Sequence, residues 1–398
     1  MTVTGPLGFR AAGVVAGLKS TGSKDVALVV NEGPLDVAAA VFTTNRVFAA
    51  PVAWSRQAVA DGIARAVVLN SGGANACTGP EGFADTHHTA EYVADLLEVS
   101  AGDVLVCSTG LIGERLPMDK LLAGCDAAAG AADAEGGPDA ALAIMTTDTV
   151  PKTVLVTREV RDGHSVDGAS SWSVGGMAKG AGMLAPGLAT MLCVLTTDAV
   201  VDAATADAAL RAATATTFDR VDSDGCMSTN DTVILLASGA SQVPVTLEEL
   251  TAVVTEACAD LARALVADAE GASHDIAVVV KNATDESAAL AVARAVTRSN
   301  LFKAAVFGND PNWGRVLSAV GTVPEDVAPF DALELDVSIN GVQVCRAGGV
   351  GEPRELVDLA SAREVHVEID LHAGDAQVTV WTNDLTHDYV HENSAYSS

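Results

Sequence analysis

The chain has 398 residues, 49% of them hydrophobic, enough for one large domain or two with a sizeable core. Its formal charge is −29 with only seven lysines, so a nucleic-acid backbone or an anionic membrane surface would be repelled rather than bound. Seven scattered cysteines with no CxxC pair indicate neither a disulfide framework nor a zinc knuckle, and a reducing compartment is expected.

The opening "MTVTGPLGFRAAGV" lacks a basic segment followed by an apolar one, and no window holds eighteen consecutive apolar residues, so a cytoplasmic protein is expected. Short β-type runs follow at 25–30, 38–44, 65–70 and 103–108, with helical stretches at about 84–98 and 118–133. The Ala/Asp/Gly-biased stretch 125–141 reads as an exposed helix end and loop. The first half of "KGAGMLAPGLATMLCVLTTDA" (179–199), before Thr190, reads as a flexible Gly/Pro loop holding a single lysine, Lys179. From Thr190 a β-branched apolar run reads as a buried strand. Helices at 202–217, 247–269 and 284–299 then alternate with strands at 232–237 and 275–280, and strands near 332–339, 364–370 and 376–382 close the chain. The pattern is α/β, with mixed α and β layers.

Several signatures fail on their chemistry. In "GGMAKGAG" Lys179 precedes Gly180 instead of following it, and no Ser/Thr comes after, so the segment is not a phosphate loop. "DRVDSDG" (219–225) has Arg220 where a calcium loop needs an oxygen ligand, and no closing glutamate. No GxSxG elbow occurs. His387 and His391 are four apart but have no third ligand, so no metal is expected. Cys193 reads as a small core residue, Trp313 as packing under a turn, and Arg315 as a candidate partner for a carboxylate.

The junction "KGAGMLAPGLATMLCVLTTD" is less ordinary, because a threonine there meets a flexible segment on one side and a core strand on the other. A threonine that becomes a chain terminus carries a hydroxyl nucleophile and an α-amine of pKa about 7.7–8.0 in the same residue. The stretch resembles the self-cleavage segment of the ornithine acetyltransferases, the bifunctional glutamate N-acetyltransferases of arginine biosynthesis. "LNSGGANACTG" (69–79), "CSTGLIGERLP" (107–117), "MTTDTVPK" (145–152), "VDSDGCMSTNDT" (221–232), "FGNDPNWGRV" (307–316) and "HDYVHENSAYSS" (387–398) carry the likeness along essentially the whole chain. Ala181 and Asn309 are modest departures from the commonest pattern of that family.

The resemblance implies a self-cleaving fold of the N-terminal-nucleophile type, related to an aminopeptidase of the same architecture. It implies cleavage between Ala189 and Thr190, giving chains 1–189 and 190–398 that share one core and assemble as an α2β2 heterotetramer. Thr190 would be the nucleophile, with the Thr109 hydroxyl and Gly110 N–H as oxyanion hole. Thr146, Lys179, Thr190, Glu270, Asn393 and Ser398 would bind substrate, Thr147 being an alternative to Thr146. The implied reaction moves acetyl from N2-acetylornithine to glutamate, with no cofactor and with acetyl-CoA left open as a co-substrate. The rival readings are a processed hydrolase with water as acceptor and an unprocessed ligand-binding protein.

Overall fold

The computed structural model describes residues 2–160, 171–185 and 191–395. The expected cleavage pair Ala189–Thr190 and the terminal Ser398 lie outside the described residues.

Two sheets stack face to face. The first has four strands in the order Phe9–Val14, Val26–Asn31, Ala66–Asn70 and Val104–Ser108. The second has five, in the order Val37–Phe42, Thr232–Ala237, Leu192–Thr197, Ser171–Lys179 and Lys152–Glu159. Strands Val26–Asn31, Ala66–Asn70, Leu192–Thr197 and Thr232–Ala237 are buried on both faces, which is why they read as unbroken apolar runs rather than alternating ones. Ala27, Leu69 and Leu105 of the first sheet share a core with Leu192, Val194 and Ile234 of the second. Helices Gly79–Leu97 and Met118–Ala131 cover the outer face of the first sheet, and Ala203–Thr216 and Leu247–Ala267 that of the second, giving four layers. A third sheet, of six strands including Asp275–Ala283, Glu364–Asp370 and Ala376–Asn383, has its own core against helices Glu286–Thr297, Asn300–Phe307 and Trp313–Val320.

Helix starts follow local chemistry. Thr246 and Glu249 form a reciprocal capping box, and Asp202 and Asp285 accept backbone N–H groups at their helix N-termini. Three expectations are corrected. Lys179 is not in a flexible loop: it ends the strand Ser171–Lys179, and its glycines serve close approach rather than turning. A Cβ on Gly175 would lie 2.3 Å from Thr2 O, and one on Gly176 2.7 Å from Leu195 Cδ2. Nor is 125–141 simply an exposed end, since the helix Gly137–Ala143, which begins inside it, buries Ala140, Ala141 and Ala143 between the stacked sheets. Arg315 donates to the Leu301 carbonyl instead of a carboxylate, and Trp313 begins a helix packed on the third core.

Candidate active site

The loop after Val104–Ser108 brings Thr109 inward. Its N–H donates to Asn70 O at 3.0 Å, and its side chain is buried. Gly110 follows at φ +134°, where a Cβ would sit 2.8 Å from Gly73 N, so only glycine fits this turn without displacing backbone. Lys179 reaches Thr109 from the end of its strand, its Nζ donating to Thr109 Oγ1 at 3.4 Å. Because that hydroxyl accepts from Lys179, its own proton is available to another acceptor.

Lys179 is 2% exposed. Burial drives its pKa down, Asp148 opposes this, Lys152 adds to it, and Asp231 and Glu270 oppose it more weakly. Asp148 accepts from Lys152 Nζ at 2.6 Å, Gly180 N at 2.7 Å and Thr146 N at 3.0 Å. Burial alone would raise the Asp148 pKa, but Lys179, Lys152 and the Gly180 N–H outweigh it and hold it at about 2. Lys152 also pairs with Asp268 at 2.6 Å. Lys19 faces both Lys179 and Asp148, and burial lowers its pKa as well. Three of the seven lysines of a strongly acidic chain thus gather around one carboxylate.

A second, anionic pole adjoins this one. Glu270, just beyond the helix Leu247–Ala267, accepts from the Thr147 hydroxyl at 2.7 Å and from Asn393 Nδ2 at 2.9 Å, while its N–H donates to Ala181 O at 2.9 Å. Asn393 belongs to the helix His387–Ala395, so this part of the C-terminal tail is tied to Glu270. Asp224 holds Met183 N at 2.7 Å and Cys226 N at 3.0 Å, and burial pushes its carboxyl up.

The segment Ser228–Thr232 clamps these parts together. Asn230 Nδ2 donates to Ser108 O at 2.8 Å and Ala74 O at 2.6 Å, beside the Thr109 loop. Asp231 Oδ1 accepts Met191 N at 3.0 Å, and Thr232 N donates to Met191 O at 3.1 Å. The residue after Thr190 is therefore fixed at both its backbone polar groups.

A profile of the ArgJ family matches residues 10–398. The chain belongs to this family. The arginine biosynthesis bifunctional protein ArgJ of Streptomyces coelicolor is 61% identical over 398 residues, which cover the whole of both chains. The solved ornithine acetyltransferase complexed with ornithine from Mycobacterium tuberculosis is 57% identical, the match covering 48% of this chain and 96% of that one at a TM-score of 0.43. A Burkholderia β-aminopeptidase matches 67% of this chain and 86% of that one, at 14% identity and a TM-score of 0.39. As a member of the family the chain is an acetyltransferase of arginine biosynthesis, and membership favours transfer over hydrolysis.

Of the sequence-predicted residues, Thr109, Gly110 and Lys179 come together at the cationic pole, and Glu270 and Asn393 at the anionic one. Between the two threonines, the Thr147 hydroxyl meets Glu270, while Thr146 is held through its N–H by Asp148. Sequence reasoning missed Lys19, Asp148, Lys152, Asn230 and Asp231. The i, i+4 pair Asp148 and Lys152 lies inside "MTTDTVPK", and Asn230 and Asp231 inside "VDSDGCMSTNDT", so the signal was a cluster of polar residues in otherwise apolar surroundings. His387 stacks edge-on with Phe307, and no group of three metal-ligating side chains occurs among the described residues. No described helix is long and apolar enough to cross a membrane.

Proposed function

We propose that the chain cuts itself between Ala189 and Thr190 and that the new N-terminal Thr190 carries acetyl from N2-acetylornithine to glutamate. Attack by the Thr190 hydroxyl on its preceding carbonyl shifts the acyl group from nitrogen to oxygen, breaking the C–N bond and freeing the α-amine, and water then splits the ester to release the Ala189 carboxylate and restore the hydroxyl. In the transfer, Thr190 Oγ attacks the acetyl carbonyl and gives its proton to that amine, directly or through a water it holds. The C–N bond breaks, ornithine leaves with the proton, and the acetyl-threonine is attacked by the glutamate amine to give N-acetylglutamate. Acetyl-CoA enters the same scheme as an alternative donor.

The observation that supports this reading best is the 3.4 Å contact between Lys179 and Thr109. It joins a buried cation, suited to a substrate carboxylate, to a hydroxyl whose proton is available to an oxyanion beside Gly110. Glu270 and Asn393 supply the opposite pole for the side-chain ammonium of ornithine, a substrate that is itself charged at both ends. Thr146 and Ser398 complete the proposed substrate contacts, and the two fragments pair further as an α2β2 assembly.

Intact-mass measurement after incubation with N2-acetylornithine tests the scheme. The expected result is two fragments, 1–189 and 190–398, the second bearing one acetyl group. A single uncut chain with full activity refutes it. Product formed from N2-acetylornithine equally fast with and without glutamate would transfer the reading to hydrolysis.

A further inference from the structure

N2-acetylornithine and glutamate share a reacting end and differ in their tails. Each has an α-carboxylate beside the nitrogen that bears or receives acetyl, but ornithine ends in an ammonium and glutamate in a second carboxylate. One oxyanion site at Thr109 and Gly110 and one buried cation, Lys179, serve the reacting end of both, so both tails run to the pole of Glu270 and Asn393. A fixed negative charge there would attract the first tail and repel the second.

Asp224 adjoins this pole. It and Glu270 hold one tripeptide between them: Glu270 N donates to Ala181 O at 2.9 Å, its Oε2 lies 2.6 Å from where a Cβ on Gly182 would be, and Asp224 accepts Met183 N at 2.7 Å. Burial, and then Asp224, Cys226 and Glu270, push the Tyr389 hydroxyl up, so the terminal helix brings that side chain to the same place. Lys303, 5% exposed on the helix Asn300–Phe307, faces Asp224 and donates to Ser223 O. Burial lowers its pKa, while Asp224, Asp222, Asp384 and Cys226 oppose this, Asp224 most. Asp222 is paired with Arg298 at 2.7 Å and Asp384 is bonded to His274 Nδ1 at 2.8 Å, which leaves Asp224 as the main counter-charge of Lys303. Burial is the main force raising the Asp224 carboxyl and Glu270 adds to it, against the Cys226 and Met183 N–H groups and Lys303.

We propose that Asp224 determines which tail the pole accepts, ionised while the ornithine ammonium is bound and protonated while the glutamate side-chain carboxylate is. The inference rests on the two-step transfer above. Ionised, Asp224 cancels Lys303, and the charge of Glu270 faces the ammonium. Protonated, it leaves Lys303 to offset Glu270, so the incoming carboxylate is no longer repelled. The Thr147 hydroxyl and the Asn393 amide at Glu270 suit both states, because each group can donate and accept. No covalent bond changes: the proton enters from solvent as glutamate binds and returns there as N-acetylglutamate leaves.

Titration calorimetry on the full-length protein, near neutral pH in two buffers of different ionisation heat, counts the protons taken up with ornithine and with glutamate. The α-amine and α-carboxylate are common to both ligands and cancel in the difference. Uptake with glutamate should exceed that with ornithine by close to one proton. In Asp224→Asn, its folding checked by thermal melting, the difference should vanish, Kd for ornithine should rise several-fold and Kd for glutamate should not rise. Asp224→Glu should restore the difference. Equal counts in the parent overturn the proposal without recourse to any variant. A difference that survives in Asp224→Asn overturns it too, as does an equal weakening of both ligands there, the sign of a structural role. Glutamate that binds together with ornithine instead of competing with it also overturns it. If the parent does not pass acetyl from N2-acetylornithine to glutamate, the transfer reading fails instead.

Discussion

Replacing Asp148 by Asn removes the charge from a carboxylate that two lysines and a backbone N–H hold ionised. Its pKa lies at about 2 in the folded chain against an ordinary 3.8. At about 1.4 kcal/mol per pKa unit, that lowering corresponds to a stabilisation of roughly 2–3 kcal/mol at neutral pH. Because the folded value is depressed, the contribution is complete above the unfolded pKa and fades as pH falls through the folded one. Near pH 3, one unit above the folded value, about half of it remains. Asp148→Asn should therefore be less stable than the parent by about 2–3 kcal/mol near pH 7, with the gap narrowing to about 1–1.5 kcal/mol near pH 3. Urea denaturation of both proteins at the two pH values, followed by circular dichroism, measures this. A gap under about 0.5 kcal/mol at pH 7, or one that widens on acidification, would refute the assignment of Asp148 as the ionised centre of the lysine cluster.

Other expectations concern the site more directly. Thr109→Val should lower kcat by about 10²–10³ while Thr109→Ser keeps most of it, since what matters is the hydroxyl beside Lys179; equal losses in both would count against an oxyanion role. In Gly182→Ala the new Cβ would lie 2.6 Å from Glu270 Oε2 and 2.7 Å from its Cδ. The carboxylate must shift, so KM for N2-acetylornithine should rise several-fold in steady-state assays while melting temperature changes little. Burial raises the Cys193 thiol well above its ordinary pKa, whereas Cys77 and Cys226 are exposed. Peptide mapping after iodoacetamide treatment of the folded protein should therefore find Cys193 unlabelled. Labelling of Cys193 under those conditions would contradict its core placement.

How far the sequence could be read depended on what each residue type was used for. Apolar β-branched runs such as Val26–Asn31 and Thr232–Ala237 are strands because they are buried on both faces, and they were recognisable as such. Thr109, Gly110, Glu270 and Asn393 were legible only through resemblance, since their types and spacing are those of ordinary turns and tails. The strand Ser171–Lys179 was hidden because its two glycines look like turn residues, although they answer to Thr2 O and Leu195 on either side. The helix Gly137–Ala143 was missed for a related reason. A Cβ on Gly13 would lie 1.9 Å from Asp139 O, and one on Gly136 1.8 Å from Ala11 O, so strand and helix nearly touch and only small residues fit. Lys152 and Asp148 pair across one short loop, but their ties to Asp268 and Gly180 depend on the ends of a distant helix and a distant strand, which no local pattern contains.

The order of the five-stranded sheet has a consequence for any chain severed after residue 189. Strand Val37–Phe42 would then belong to one polypeptide, Thr232–Ala237 and Leu192–Thr197 to the other, and Ser171–Lys179 and Lys152–Glu159 to the first again. Two seams of backbone hydrogen bonds would be all that joins the pieces within that sheet, each seam threaded between strands of the opposite polypeptide. Such a pair is interwoven like cloth rather than docked like two domains, and pulling it apart would require unravelling the sheet itself.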